Sequence, residues 1–189
     1  MMENLVKERQ ARQSNVEDEI AEKWGKKQNL SGPIIAVPYK INSINERGRS
    51  IKSNFIMYYL PENLDISGEM VPEIRSRGIF SAVLYGANLD MTGYFDRAVI
   101  KDSIETTWKG QVDEILWEDA KLILKLSDLQ SLKQESEIIW EGKSVDFYPD
   151  STGKHLILSA KTPITKRKTD FNLKMKFNGH ETLGFTPSA

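Results

Sequence analysis

The chain has no cysteine. That excludes disulfides, thiolate metal ligands and a thiol nucleophile, and it leaves the compartment open. Histidine is almost absent too. His155 and His180 are the only two in 189 residues. They stand far apart, with no carboxylate at a ligand spacing and no His-Glu-x-x-His pattern, so both are read as strand-end or turn histidines. There is no Gly-x-Ser-x-Gly elbow. Gly142-Lys143-Ser144 looks like the tail of a phosphate loop, but Glu137 stands where the leading glycine is required and the context is a hairpin, so that reading is rejected. No metal site and no cofactor is indicated. Charge of one sign is also lacking. With 26 basic and 27 acidic residues the formal net charge is −1, whereas a nucleic-acid binder carries a basic excess. No run reaches the ~18 apolar residues that a membrane helix needs.

What is present is alternation. The length fits one domain, at most two intimate subdomains, and a chain this long buries ~70% of its unfolded surface. Residues 3–27 are free of proline, rich in Glu, Lys, Arg, Gln and Ala, and end near Gly25. They predict a helix. Its apolar stripe, Val16, Ile20 and Trp24, lies in the second half, which is the half expected to dock. Ser31-Gly32-Pro33 is read as a break. Ile34–Tyr39 follows as a short strand, and its two flanking prolines suggest an edge. Lys40–Ser43 and Ile51–Leu60 flank Asn45–Arg49 as a hairpin. Asp96–Trp108 is equally consistent with a short helix or a loop. Lys121–Leu126 alternates, Ser127-Asp128-Leu129 reads as a turn, and Glu137–Trp140 with Val145–Tyr148 flank a compact hairpin. Lys154–Ala160 is a further strand. Phe171, Leu173, Met175 and Phe177 alternate strictly with polar residues, and Asn178-Gly179 is the strongest short hairpin signal in the chain, with Glu181–Phe185 as its return arm.

The stretch Tyr58–Phe95 organises the rest. Leu64, Ile66 and Met70 alternate with Asp65, Ser67 and Glu69, the pattern of a half-buried strand. Gly68 suggests a bulge or a close backbone approach. Val71-Pro72 is read as the start of a turn, because the residue before a proline is biased away from helix. Glu73, Arg75 and Arg77 make that connection polar, and Gly78 ends it. From Ile79 the alternation resumes, with Val83, Tyr85, Ala87, Leu89, Met91 and Phe95 on one face. Seventeen residues at ~3.3 Å each is long for a strand, so Gly86 or Gly93 is expected to mark a bend. In all, nine to eleven short strands follow one helix. The fold class read from this is mainly β: an antiparallel β-sandwich or curved sheet with one long N-terminal α-helix packed against it. The boundaries are 1–29 for the helix and 30–189 for the β-rich domain.

These same residues carry a resemblance. The segment Pro38-Tyr39-Lys40, then Leu60–Phe95, then Trp117–Leu129 resembles the extracytoplasmic part of the CreD family of bacterial inner-membrane proteins. Glu8–Gln13, the Leu30–Pro33 approach and Trp140-Glu141-Gly142 fit the same pattern, and Pro72–Phe80 with Ser127-Asp128-Leu129 are its most specific parts. The resemblance implies a periplasmic domain of an inner-membrane protein with one membrane helix before it and several after it. It also implies a part in envelope integrity, stress tolerance and colicin tolerance under a Cre-type two-component system, and no established chemistry. The membrane helix that the pattern places before Val6 is absent, and so is everything after Phe185. The sequence is therefore read as an excised piece, with Met1 and Ser188-Ala189 as arbitrary or vector-derived ends.

Three functional readings are carried forward. The first is a non-enzymatic domain that binds an envelope protein or cell-wall component, with Glu73, Arg75 and Arg77 as the candidate contact patch. The second is a carbohydrate-binding sandwich using Trp24, Trp108, Trp117 and Trp140 as platforms, against the plainer reading of packed tryptophans. The third is a glycoside hydrolase with a carboxylate pair, for which Glu118-Asp119 beside Trp117 is the best starting point although strand neighbours point to opposite faces. Lys166-Arg167-Lys168 is read as a solvated hairpin tip, with contact to anionic lipid as the rival.

Overall fold

The computed structural model describes residues 2–25, 27–129, 131–150, 156–180 and 182–186. Helix α1 (Met2–Trp24) is followed by β1 (Gln28–Ile44), β2 (Ser50–Tyr59), β3 (Asn63–Arg77), β4 (Phe80–Asp96), α2 (Arg97–Trp108), β5 (Val112–Ile115), a 3-10 turn at Trp117–Asp119, β6 (Lys121–Leu126), β7 (Glu137–Trp140), β8 (Lys143–Val145), β9 (Tyr148–Asp150), β10 (Leu156–Lys161), β11 (Lys168–His180) and β12 (Leu183–Thr186). The larger sheet runs β12-β1-β6-β10-β9, with β2 and β5 also pairing along β1, and the smaller runs β3-β4-β11-β7-β8. The parallel β1–β12 pair joins otherwise antiparallel ladders. Inward side chains of both sheets form one core: Val37, Tyr39, Leu122 and Leu124 from one, and Met91, Phe95, Leu173 and Phe177 from the other. This is the expected β-sandwich. Helix α1 packs across β4 and β11, with Val6–Asn15 exposed and Val16 half-buried. The side chains of Ile20 and Trp24 lie outside the described set, as does His155.

Local chemistry explains most of the boundaries. Asp96 caps α2 by accepting from the Ala98 backbone N–H at 2.7 Å, which satisfies one of the orphan donors of the first turn. Ile100 and Ile104 of that helix are buried, so Asp96–Trp108 resolves as a helix. In the β1–β2 turn, Asn45 Oδ1 accepts from the backbone N–H groups of Arg47 and Arg49, the side-chain mimicry of a turn that favours Asn there. Glu141 and Gly142 both have positive φ, as a two-residue hairpin loop requires. Gly142-Lys143-Ser144 is thus a turn leading into β8, as the rejection of a phosphate loop anticipated.

Four expectations are corrected. Ser31-Gly32-Pro33 does not separate helix from strand. It lies inside β1, at a register shift against β6 between Ser31 and Ile34, so the proline occupies an irregularity rather than an edge. Strand β1 is central, and it accommodates Pro38 for a geometric reason. The Pro38 carbonyl accepts from Leu116 N–H, so its nitrogen faces the same side. There β6 has ended at Ala36 and β5 has not begun before Tyr39, and no ladder donor is needed.

Asn178-Gly179 is not a hairpin. Strand β11 runs through both residues, pairing them with Gly86 and Tyr85, and β12 joins the other sheet. A Cβ at Gly179 would strike the Tyr85 ring, so this glycine serves close packing. Neither Gly86 nor Gly93 interrupts the ladder of β4, whose pairing with β3 and β11 is unbroken. Finally, the strands among the described residues number twelve and several are long.

Burial raises the pKa of Tyr59 and Tyr85 above the ordinary 10.0. Each hydroxyl donates to a backbone carbonyl, of Ile100 and of Thr182 respectively. Above pH 10.0 the unfolded chain loses protons that the folded chain keeps, so stability falls as pH rises from 10.0 through the raised folded pKa values. Replacing both tyrosines by Phe is expected to cost about 1 kcal/mol per lost hydrogen bond at neutral pH and to flatten the alkaline decline. Urea titrations at about pH 8 and about pH 11 check this. An undiminished decline in the double variant would assign it to the lysines, among them Lys40, whose pKa the Glu114 hydrogen bond raises.

Candidate partner-contact surface

Strands β3 and β4 pair without interruption from Asn63↔Tyr94 to Arg77↔Phe80. Strand β11 accompanies β4 only as far as Leu84. From Glu73 to Val83 the hairpin is therefore a two-stranded ribbon that outruns its sheet, closed by Gly78 at φ 63. The turn lies at Gly78-Ile79, not at Val71-Pro72 as the sequence suggested. Strand β3 is the outermost strand of its sheet, where a proline can stand without breaking a ladder bond. Glu73, Arg75 and Arg77 are consequently strand residues.

The two faces of the ribbon differ. Glu73 and Arg75 share a face with Ala82 and Leu84, their partners across the ladder. Ala82 and Leu84 are buried on the face opposite the sandwich core, where α1 packs on β4. Glu73 and Arg75 form an ion pair at 2.7 Å, an exposed contact worth under ~1 kcal/mol. The Arg77 side chain lies outside the described set. The other face continues the core stripe outward: Ile66, Met70 and Ile74 from β3, opposite Met91, Ala87 and Val83 from β4. Met91 and Ala87 are covered, but Ile74 is 70% exposed and Val83 60%, and Ile79 at the turn is 79% exposed. An open cleft of about 730 Å³ separates the tip (Ile79, Phe80, Ser81) from α1 (Val6, Arg9, Gln10, Gln13).

Glu73 and Arg75 thus lie on the less open face of the ribbon. The exposure of Ile74, Ile79 and Val83 was not legible in the sequence, because Ile74 fell in a stretch read as a polar turn and alternation placed Ile79 and Val83 on the core-facing side. The signal that could have found them was strand length, since ~17 residues outrun an ordinary sheet.

The remaining candidates are used in packing or pairing. Trp140 is buried and its indole N–H donates to the Pro163 carbonyl at 2.8 Å. Trp108 is half-buried, donates to Tyr39 Oη at 2.8 Å and packs on Phe55. Trp117 lies beneath the Arg97 guanidinium at 4.6 Å. These three do not form a row on an exposed face. Glu118 and Asp119 share the 3-10 turn, and Asp119 is bound by Lys161 at 3.3 Å. Lys166, Arg167 and Lys168 each reach a carboxylate, of Glu141, Asp96 and Asp170. His180 is buried at the end of β11, as a strand-end histidine.

Among the described residues no helix is long and apolar enough to cross a membrane. The inner membrane protein CreD of Escherichia coli (strain K12) is 30% identical over 99 residues, which is 51% of this chain and 22% of that protein. The chain therefore spans far less than two thirds of that relative. No solved structure matches it. The family model described as inner membrane protein CreD matches residues 1–189, so this chain belongs to the CreD family of inner membrane proteins.

Proposed function

We propose that this chain is an extracytoplasmic, non-enzymatic domain that acts in envelope integrity and stress tolerance by binding an envelope protein through the β3–β4 ribbon. One observation carries the reading: an apolar row at Ile74, Ile79 and Val83 stands exposed on a ribbon whose outer strand, among the described residues, has an unpaired edge. Open strand edges and apolar faces are costly to leave in water and prone to unwanted pairing. A partner that adds a strand or covers the row would remove both costs. Family membership supplies the inner-membrane setting.

Photocrosslinking in living cells tests it, with the probe at Ile74, Ile79 or Val83 of the parent membrane protein and at the exposed Lys125 as control. A discrete protein adduct from the ribbon positions alone is expected, and Ile74→Asp should abolish the adduct formed from Val83. Equal adducts at Lys125, or no protein adduct from the ribbon, would overturn the ribbon as contact site. Orientation is tested separately. Ser76→Cys introduces the segment's only thiol, and a membrane-impermeant maleimide should label it in spheroplasts before lysis. Labelling only after lysis refutes the extracytoplasmic placement.

A further inference from the structure

Beside α2 lies an open cleft of about 530 Å³, lined by the cations Arg97, Lys101 and Arg167, the acids Glu105, Asp113 and Glu114, and Trp117 among others. Its charges look balanced until each is followed to its partner. Asp113 is bound by Lys52 at 2.8 Å and Glu114 by Lys40 at 2.7 Å. Both lysines approach from β1 and β2 and are not among the lining residues, so the acids on this wall are already neutralised. The hydrogen bond from Lys52 holds Asp113 below the usual carboxylate range. Lys101 pairs with Glu105 at a loose 3.6 Å.

Arg97 differs. Among the described residues it has no carboxylate within ion-pair distance. Its guanidinium lies on the Trp117 ring, and its only polar side-chain contact is a 3.5 Å approach to the Thr165 carbonyl. Its backbone N–H donates to the Arg167 carbonyl at 2.7 Å, which brings the Arg167 backbone beside it. Arg167 is 82% exposed and touches Asp96 only at 3.8 Å. Two arginines thus line one cleft, and the guanidinium of Arg97 is ordered by an indole and, among the described residues, has no counter-charge. An arginine fork pre-positioned in this way matches a tetrahedral oxyanion in a way that a mobile lysine does not.

We propose that this cleft binds a phosphate-bearing group, lipid-borne or soluble, which Arg97 grips from its seat on Trp117 while Arg167 and Lys101 flank it. The site is separate from the ribbon and does not depend on the partner reading.

The test is a titration of the purified chain followed by the Trp117 indole and Arg97 Nε–H resonances. The probes are inorganic phosphate, glucose 6-phosphate, and vesicles of phosphatidylcholine with and without phosphatidic acid, each at constant ionic strength set with chloride. Saturable shifts with phosphate or the sugar phosphate identify a soluble source. Binding confined to phosphatidic acid vesicles identifies a lipid source. Arg97→Gln should weaken either by roughly tenfold or more, Arg97→Lys by less, and Lys174→Gln, remote on β11, not at all. Unchanged circular dichroism and Tm in Arg97→Gln separate loss of binding from loss of fold. No saturable shift with any probe, or equal affinity in a folded Arg97→Gln protein, overturns the proposal.

Discussion

Phe95→Ala is expected to destabilise the domain by about 3–5 kcal/mol. Phe95 is 1% exposed and sits where the two sheets and the start of α2 meet. Its ring lies 5.3 Å from that of Phe171 and 6.0 Å from that of Trp140. Truncation removes the apolar transfer term, leaves a cavity that long paired strands cannot close, and breaks two aromatic contacts. Against a total of about 5–15 kcal/mol the loss is large, and for a chain of this size it corresponds to a Tm lower by roughly 6–20 °C. Phe95→Leu, which keeps most of the volume, should cost well under half as much. Thermal and urea denaturation of both variants decide the matter. Equal small losses would mean that the core around Trp140 collapses freely, contrary to the packing described.

Gly93→Ala and Gly86→Ala are expected to change stability in opposite directions, although both glycines are on β4. A Cβ at Gly93 would meet the Asn63 backbone carbonyl and come within 2.8 Å of the Phe171 ring. The carbonyl belongs to a paired strand and cannot move alone, so overpacking of about 1–3 kcal/mol or more is expected. At Gly86 the nearest atom is Asn178 Oδ1 at 3.9 Å and the backbone is not in the positive-φ region. There an alanine restricts the unfolded chain at little native cost and should stabilise by about 0.4–1 kcal/mol. Urea midpoints of the two single variants test the pair. The same sign in both would show that β4 shifts as a body to admit a side chain at position 93.

Both predictions concern positions that the sequence brought into view without explaining. A bend was expected at Gly86 or Gly93 because seventeen residues is long for one strand, yet the register runs unbroken through both. What decides Gly93 is Asn63 and Phe171, residues distant in the chain. Gly179 is the same case: Asn-Gly is a strong local turn signal, but the Tyr85 ring occupies the space that a side chain there would need. Local preference gave way to packing, which costs more to violate.

The candidate sites divide in the same manner. The block Pro72–Phe80 was legible as special, and so was its charge. That Glu73 and Arg75 sit on the α1 side, leaving the apolar row on the other face open, depends on where β11 ends and where the helix lies. The cleft at Arg97 had no sequence signature. Arg97, Trp117 and Arg167 come together through the 2.7 Å backbone bond between Arg97 and Arg167 and the packing of α2, and its surplus charge appears only once Lys40 and Lys52 are seen to neutralise Glu114 and Asp113.

By itself the sequence determined the β-rich class, the alternation of β6 and β11, the helix at the N-terminus, the Asn45–Arg49 turn and the family resemblance. Each of these depends on period, composition or neighbours a few residues away. The tertiary structure alone decided the sheet order, the central place of β1 despite two prolines, the crossing of β12 to the other sheet, the overhang of the β3–β4 ribbon and the open face of Arg97. These depend on which strand ends first and which charge already has a partner, and those are distances between residues that the chain order does not contain.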